Sequence, residues 1–310
     1  MILGLKKYQF HICITLAFTL LGIWLNVWIQ ALIAFFMIFS LGIIHGANDL
    51  QLIQKKTQKK SKNFFFATLL IYVGVVVAGI ALFYLLPSFG LLFFVGFSAF
   101  HFGEQHLESK LEVELSSFLK VLIYVGYGIS LFGLLFTLQW DQVHQVIYLI
   151  SGQFVSKQFT EAFFFIGLGL FVVSGLFSPN LRGWLFFETV LLAFLGFFFS
   201  RVSLILGFGV YFMIWHSLPS MQDQLTFLYP KDPQRNWKYL KSSAPYWIIS
   251  LIGLAGVYFF FDVQSVAFLP LFFSFLAAIT FPHTVVMGWL KLSEEKPTAS
   301  PQNPSNIPSK

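Results

Sequence analysis

Four histidines stand in stretches otherwise made of hydrocarbon side chains: His45 in "GIIHGANDL", His101 in "AFHFGEQH", His216 in "FMIWHSLPS" and His283 in "TFPHTVV". Neutral imidazole is a ligand for Fe, Zn, Cu or Ni. It does not suit Mg or Ca, which take oxygen ligands. A metal-bound histidine usually gives its second ring N–H to a carboxylate or a carbonyl. Asp49, four residues after His45, and Glu104, three after His101, are the carboxylates placed to receive one. In a continuous helix Asp49 shares a face with His45. Asp49 has a second reading of equal standing, as a helix cap or as the ion-pair partner of Lys55 or Lys56. The single cysteine, Cys13, excludes an intramolecular disulfide and a thiolate metal cluster.

Each histidine stands beside a residue that disturbs a regular helix. Gly46 follows His45, and Gly103 follows His101 by two. Pro219 lies three residues after His216, and Pro282 immediately precedes His283. A helical proline leaves a carbonyl unpaired one turn earlier, here those of Trp215 and Ala278, and bends the helix. Closely packed, broken helix ends around imidazoles are a way to build a cavity inside a bundle.

The elements that must carry these residues follow from composition. The chain has 310 residues, 57% hydrophobic and 10% charged, far from the quarter or so of charged residues in a soluble domain. Apolar runs of about 18 or more residues recur, long enough to cross about 30 Å of hydrocarbon. The expectation is an all-α polytopic transmembrane helix bundle of about ten spans. They lie near 9–27, 30–47, 64–86, 88–105, 117–138, 159–178, 183–200, 202–219, 245–262 and 267–290. The first run is long and lacks a small-residue cleavage site, so it reads as a retained helix and not a signal peptide. Residues 139–153 read as an interfacial amphipathic helix, with Trp140, Val143, Ile147 and Ile150 on one face. Residues 1–291 form one membrane domain. The Pro- and Ser-rich segment 292–310 reads as a disordered cytoplasmic tail.

Charge orients the bundle. With the N-terminus in the cytoplasm, all of the 19 basic residues except Lys157 and Arg201 fall on the inner side. Both termini are then cytoplasmic and the protein is an integral, multi-pass protein of the inner (cell) membrane. The +6 net charge is explained by topology, and no nucleic acid partner is implied. All four histidines lie on even-numbered spans, which run from outside to inside, and each is in the last third of its span. They therefore share one depth. His106 and His144 read as solvated and His11 as interfacial. Glu188, in the middle of the seventh span, either pairs across the bundle or borders a substrate channel. The 42 phenylalanines are ordinary lipid-facing residues and by themselves name no substrate.

At "HGANDL", "HFGE", "WHSLPS" and "PHTVV", in that order over roughly residues 40–290, the sequence resembles the Brp/Blh family of membrane-bound β-carotene 15,15'-dioxygenases. The resemblance implies His45, His101, His216 and His283 as ligands or close neighbours of Fe(II), with Asp49 as the carboxylate of the first motif. It implies β-carotene and dioxygen as substrates, two retinal molecules as products, and a hand-off of retinal to a microbial rhodopsin. Many members of the family carry a second histidine four residues after the one matched by His216. Here that position is Ser220, expected one turn from His216 and facing the same cavity.

Chemistry agrees with that implication. There is no motif for nicotinamide or flavin, so electrons must come from substrate and metal. A C40 hydrocarbon dissolved in the lipid bilayer would reach the site between helices. Three other functions fit the composition. A lipid desaturase or carotenoid hydroxylase would show HxxxH and HxxHH clusters, and this chain has neither. A proton-coupled transporter would string His45, Asp49 and Glu188 along a path, whereas the four histidines share one depth. A carotenoid- or retinal-binding protein without activity is separated from an enzyme only by a product assay.

Overall fold

The computed structural model describes residues 2–112, 114–260 and 268–292; among them it is all-helical, with no strand. The order is α1 (Ile2–Trp24), α2 (Val27–Met37), α3 (Asp49–Thr57), α4 (Lys62–Leu85), α5 (Pro87–Leu107), α6 (Ser117–Leu138) and α7 (Trp140–Ser151). Then follow α8 (Lys157–Gly175), α9 (Pro179–Arg182), α10 (Leu185–Phe199), α11 (Leu204–Val210), α12 (Leu218–Leu228), α13 (Arg235–Phe260) and α14 (Phe268–Leu292). Helix occupies most of the described residues in each of the ten expected stretches. Five have both the length and the apolarity to cross a membrane: Lys62–Leu85, Ser117–Leu138, Lys157–Gly175, Leu204–Leu228 and Pro270–Leu290. The chain is a membrane protein by these helices. Val27–Gly42 and Leu185–Phe199 are apolar but shorter. Beyond Leu292, the expected tail lies outside the described residues.

Short polar side chains set where the helices begin. Asn26, Ser61, Ser116, Ser156 and Ser203 each accept a hydrogen bond from the backbone N–H three residues on. That satisfies a donor the first turn would otherwise leave open. At the other end, the Lys55 ammonium donates to the Leu228 carbonyl at 2.6 Å and that of Lys56 to the Leu290 carbonyl at 2.9 Å. These lysines thus close the C-termini of α12 and α14, where cations are favoured.

Between lipid-like surfaces, helix association depends on close packing of small residues. A Cβ at Gly103 of α5 would run into the Tyr124 backbone of α6, and one at Gly128 of α6 into Ala99 of α5. The α5–α6 contact therefore requires glycine at both positions and fixes the helix that carries His101.

Two π-helical turns interrupt the bundle, Ile38–Gly42 after α2 and Tyr211–Ser217 between α11 and α12. Such wide turns re-aim side chains and concentrate at functional sites. The first leads directly into His45, and the second contains His216. The amphipathic segment forms α7 close to its expected bounds. It folds down onto the bundle, with Val143 buried and the Trp140 indole N–H donating to the Val155 carbonyl at 3.1 Å.

Candidate metal centre

The four histidines come from four different parts of the chain and meet in one place. Ring centroids lie 4.7 Å apart for His45–His283, 5.3 Å for His283–His101, 4.8 Å for His101–His216 and 5.2 Å for His216–His45. Each ring stands within 13° of perpendicular to both neighbours, the interplanar angles being 87°, 84°, 77° and 89°. All four are buried. The shared depth expected from the sequence is thus a shared point.

Tautomers follow from the hydrogen-bond partners. His45 Nδ1 meets the Gly42 carbonyl, which can only accept. The proton is therefore on Nδ1, and Nε2 presents its lone pair. His283 Nδ1 lies 2.9 Å from Asp49 Oδ1 and 3.1 Å from Oδ2, which places its proton on Nδ1 as well. The Nε2 atoms of His45 and His283 are buried and meet no hydrogen-bond partner among the described residues. One ring nitrogen from each of His45, His216 and His283 lies within 4.8 Å of the others. Nitrogen ligands at about 2.0–2.1 Å from a metal are at most about 4.2 Å apart, so closing around an ion needs movement of under about 1 Å. His45, His216 and His283, with two orphaned Nε2 atoms among them, fit a three-imidazole metal site, and the His101 ring packs against two of them without being part of that nitrogen group.

Three sequence expectations change here. Asp49 is not on one helix with His45, because the chain turns at residues 45–48 and α3 starts at Asp49. Its carboxylate reaches His283 instead, and Tyr72 donates to Oδ2 at 2.9 Å. Lys55 and Lys56 are spent on helix C-termini and do not pair with it. Glu104 does stand by its own histidine, with Oε2 3.7 Å from His101 Nδ1. The second change concerns His106, which is buried and not solvated. Its Nε2–H donates to Glu188 Oε2 at 2.8 Å, while the Lys110 ammonium donates to Oε1 at 2.6 Å. Glu188 therefore pairs across the bundle and does not border the histidine cavity. Burial pushes the Lys110 ammonium down to about 8, and Glu188 opposes that shift.

The third change is Ser220. It is fully buried, but it does not line the cavity beside the histidines. Gln224 Nε2 donates to its hydroxyl at 3.2 Å. Gln224 Oε1 in turn accepts from Tyr239 at 2.8 Å, and the Tyr239 hydroxyl also reaches the His45 carbonyl at 3.3 Å. Ser220 thus belongs to a polar chain that holds the backbone of His45. Nothing in the spacing of Gln224 and Tyr239 announced that role. His144 behaves more nearly as expected, half-buried, with Nδ1 3.0 Å from the Trp140 carbonyl one turn back.

A cavity of about 410 Å3 opens from the histidines. His45, His216, His283 and Asp49 line one part of it; the rest is mostly apolar, with the hydroxyl-bearing Tyr72, Tyr246, Ser250 and Thr280 among the lining residues. Its far side is made by α4 and α13, where Val73, Ile80 and Ile249 line the cavity and are also exposed on the outer face of the bundle. An apolar space with a few convergent polar groups has the form of a small-molecule site. Here its mouth faces the apolar surroundings of the helices.

A family model described as beta-carotene 15,15'-dioxygenase matches residues 14–291. The chain belongs to the β-carotene 15,15'-dioxygenase family. The matched region carries all four histidines, both carboxylates and every residue of the cavity. Membership makes the protein a carotenoid-cleaving enzyme. No curated protein and no solved structure matches the chain.

Proposed function

We propose that this enzyme cleaves the central double bond of β-carotene with dioxygen to give two retinal molecules, using one Fe(II) held by His45, His101, His216 and His283. The observation that supports this reading is the closed ring of four nearly perpendicular imidazoles, three of which line a largely apolar cavity. When bound, iron supplies the activation of dioxygen that a side chain cannot. The four neutral rings supply nitrogen donors without adding charge to a site surrounded by hydrocarbon. Asp49 holds the Nδ1 proton of His283, and the Gly42 carbonyl holds that of His45, so both rings keep Nε2 turned inward. The balance needs no other cofactor: one carbon–carbon double bond and one dioxygen become two carbonyl groups.

The apolar mouth between α4 and α13 supports access from the lipid bilayer for β-carotene and exit to it for retinal. A membrane rhodopsin that takes retinal from the same bilayer is the consumer this exit route suits. The charge distribution supports an inner-membrane, multi-pass protein with both termini cytoplasmic. Expression in β-carotene-producing bacteria, followed by chromatography, tests the function. Retinal accumulates if the reading is right. Purified protein that holds iron and yields no apocarotenal under air from any C40 carotenoid would be a binding protein.

A further inference from the structure

The proposed reaction makes a demand on space that the cavity beside the histidines meets on one side only. β-Carotene is symmetric about the bond to be cut, so equal lengths of polyene extend from it in both directions. A second cavity, about 290 Å3, lies among α5, α6, α7, α8, α11 and α14, with no lining residue from α4 or α13. Its lining is almost wholly apolar and includes Phe132, Phe136, Ile147, Ile150, Phe163 and Phe208. Two stacked ring pairs separate it from the first. Phe102, which lines the first cavity, stacks on Phe132 of the second at 5.4 Å; Phe212 of the first stacks on Phe208 of the second at 5.5 Å. Both Phe102 and Phe212 also stack on His216, at 4.3 and 5.7 Å. The partition between the cavities therefore begins at the histidine cluster.

Distances along the helices suit half a C40 chain. Val95 lines the second cavity six residues before His101, about 9 Å along α5, and Phe273 lies ten before His283, about 15 Å along α14. We propose that the second cavity receives the second half of the polyene. The reacting bond then sits at the aromatic partition beside His216, and each cavity is left holding one product. This rests on the dioxygenase reading above. A flat chain between two rings needs about 3.5–4 Å on each face, about 7–8 Å in all. The Phe102 and Phe212 centroids are 6.2 Å apart, so these rings must part by about 1–2 Å on binding. A lipid tail is the competing occupant, and it would have no need of a partition that starts on a histidine.

The test narrows the second cavity from α7, where Val146 and Ile147 line it and are only half-buried. Ile147→Trp and, as a milder change, Val146→Phe are compared with wild type on two substrates. One is β-carotene. The other is an apocarotenal that keeps one ring and the central bond but only a short stub beyond it. Iron per chain and the shift of the carotenoid absorption band on anaerobic binding are recorded alongside. The expected result is a fall of tenfold or more in kcat/KM for β-carotene, a change of less than twofold for the truncated substrate, and unchanged iron. Wild-type rates on β-carotene in both variants would leave the cavity to lipid and overturn the proposal. Equal losses on both substrates with iron retained would overturn it too. Val146→Phe decides the matter if Ile147→Trp does not fold. Wild type inert on both substrates would instead sink the dioxygenase reading itself, and the proposal with it.

Discussion

The carboxylate of Asp49 lies 2.9 Å from Nδ1 of His283 and accepts its proton, joining the first and last histidine motifs across 234 residues. The contact fixes the tautomer that turns Nε2 of His283 toward the other three rings, and it raises the basicity of that nitrogen. Asp49→Asn keeps the size but replaces an anionic acceptor by an amide that can offer an N–H to the same ring. Iron affinity should fall by roughly 10–100-fold, the usual scale for such a partner. Metal titration of the purified variant measures it, and wild-type affinity would make Asp49 a structural residue only.

Four substitutions should behave alike. His45→Ala, His101→Ala, His216→Ala and His283→Ala each remove one member of a closed ring of imidazoles and should each lose most of the iron. His144→Ala removes a half-buried ring bonded to its own helix and should keep about one iron per chain. Elemental analysis after one purification protocol compares all five. Iron loss from His144→Ala equal to the others would show that the ring of four is misassigned.

Much of this site was legible in the sequence, and the reason is chemical. In a chain this apolar, an imidazole in a span is costly unless something uses it, so the four that meet in the structure stood out against hydrocarbon. Charge placed them at one depth without any structure. What the sequence could not carry was lateral geometry. The turn at residues 45–48 breaks the i to i+4 relation of His45 and Asp49, so the carboxylate serves a histidine from α14. His106 looked solvated because its neighbours Glu104, Gln105 and Glu108 are polar, yet α10 brings Glu188 against it. The two π-helical turns left no mark in the residue pattern, although Pro219 is the kind of residue that forces such an adjustment. Of the ten expected spans, length and composition in the structure support five, because several of the remaining helices are too short or too polar to qualify alone.

The Glu188–His106–Lys110 cluster should matter to stability and not to iron. Glu188 is fully buried and receives hydrogen bonds on both oxygens. Glu188→Ala leaves the Lys110 ammonium buried without its anion, a change that typically costs about 3–5 kcal/mol. The variant should melt well below wild type in detergent while fresh preparations retain iron. Loss of iron at an unchanged melting temperature would place Glu188 in the metal site instead.

Ser220→Ala should leave iron content intact and reduce the melting temperature slightly, since it removes one hydrogen bond of about 1 kcal/mol from the chain running through Gln224 and Tyr239 to the His45 carbonyl. Ser220→His places a ring in a fully buried site and should cost about 1–3 kcal/mol by overpacking. No gain in iron affinity is expected, because the position does not line the histidine cavity. Tighter iron binding by Ser220→His would show that the side chain reaches the metal after all.

Access to the site is the last expectation. Val73 on α4 and Ile249 on α13 line the histidine cavity and are at the same time 47% and 65% exposed, so they are its rim. On the proposed route from the bilayer, substrate would pass between them. Val73→Trp combined with Ile249→Trp narrows that rim without touching any histidine, Asp49 or Tyr72. Both changes put a large apolar ring on an apolar surface, which the fold should tolerate. The rate of capture should suffer while the chemical step does not. We therefore expect KM for β-carotene to rise several-fold, kcat to change little, and iron per chain to stay at the wild-type value. Initial rates in mixed micelles over a range of carotenoid concentrations separate the two constants. An unchanged KM would move the substrate route away from the α4–α13 mouth, and a collapse of kcat with iron intact would mean that the rim shapes the reacting geometry itself.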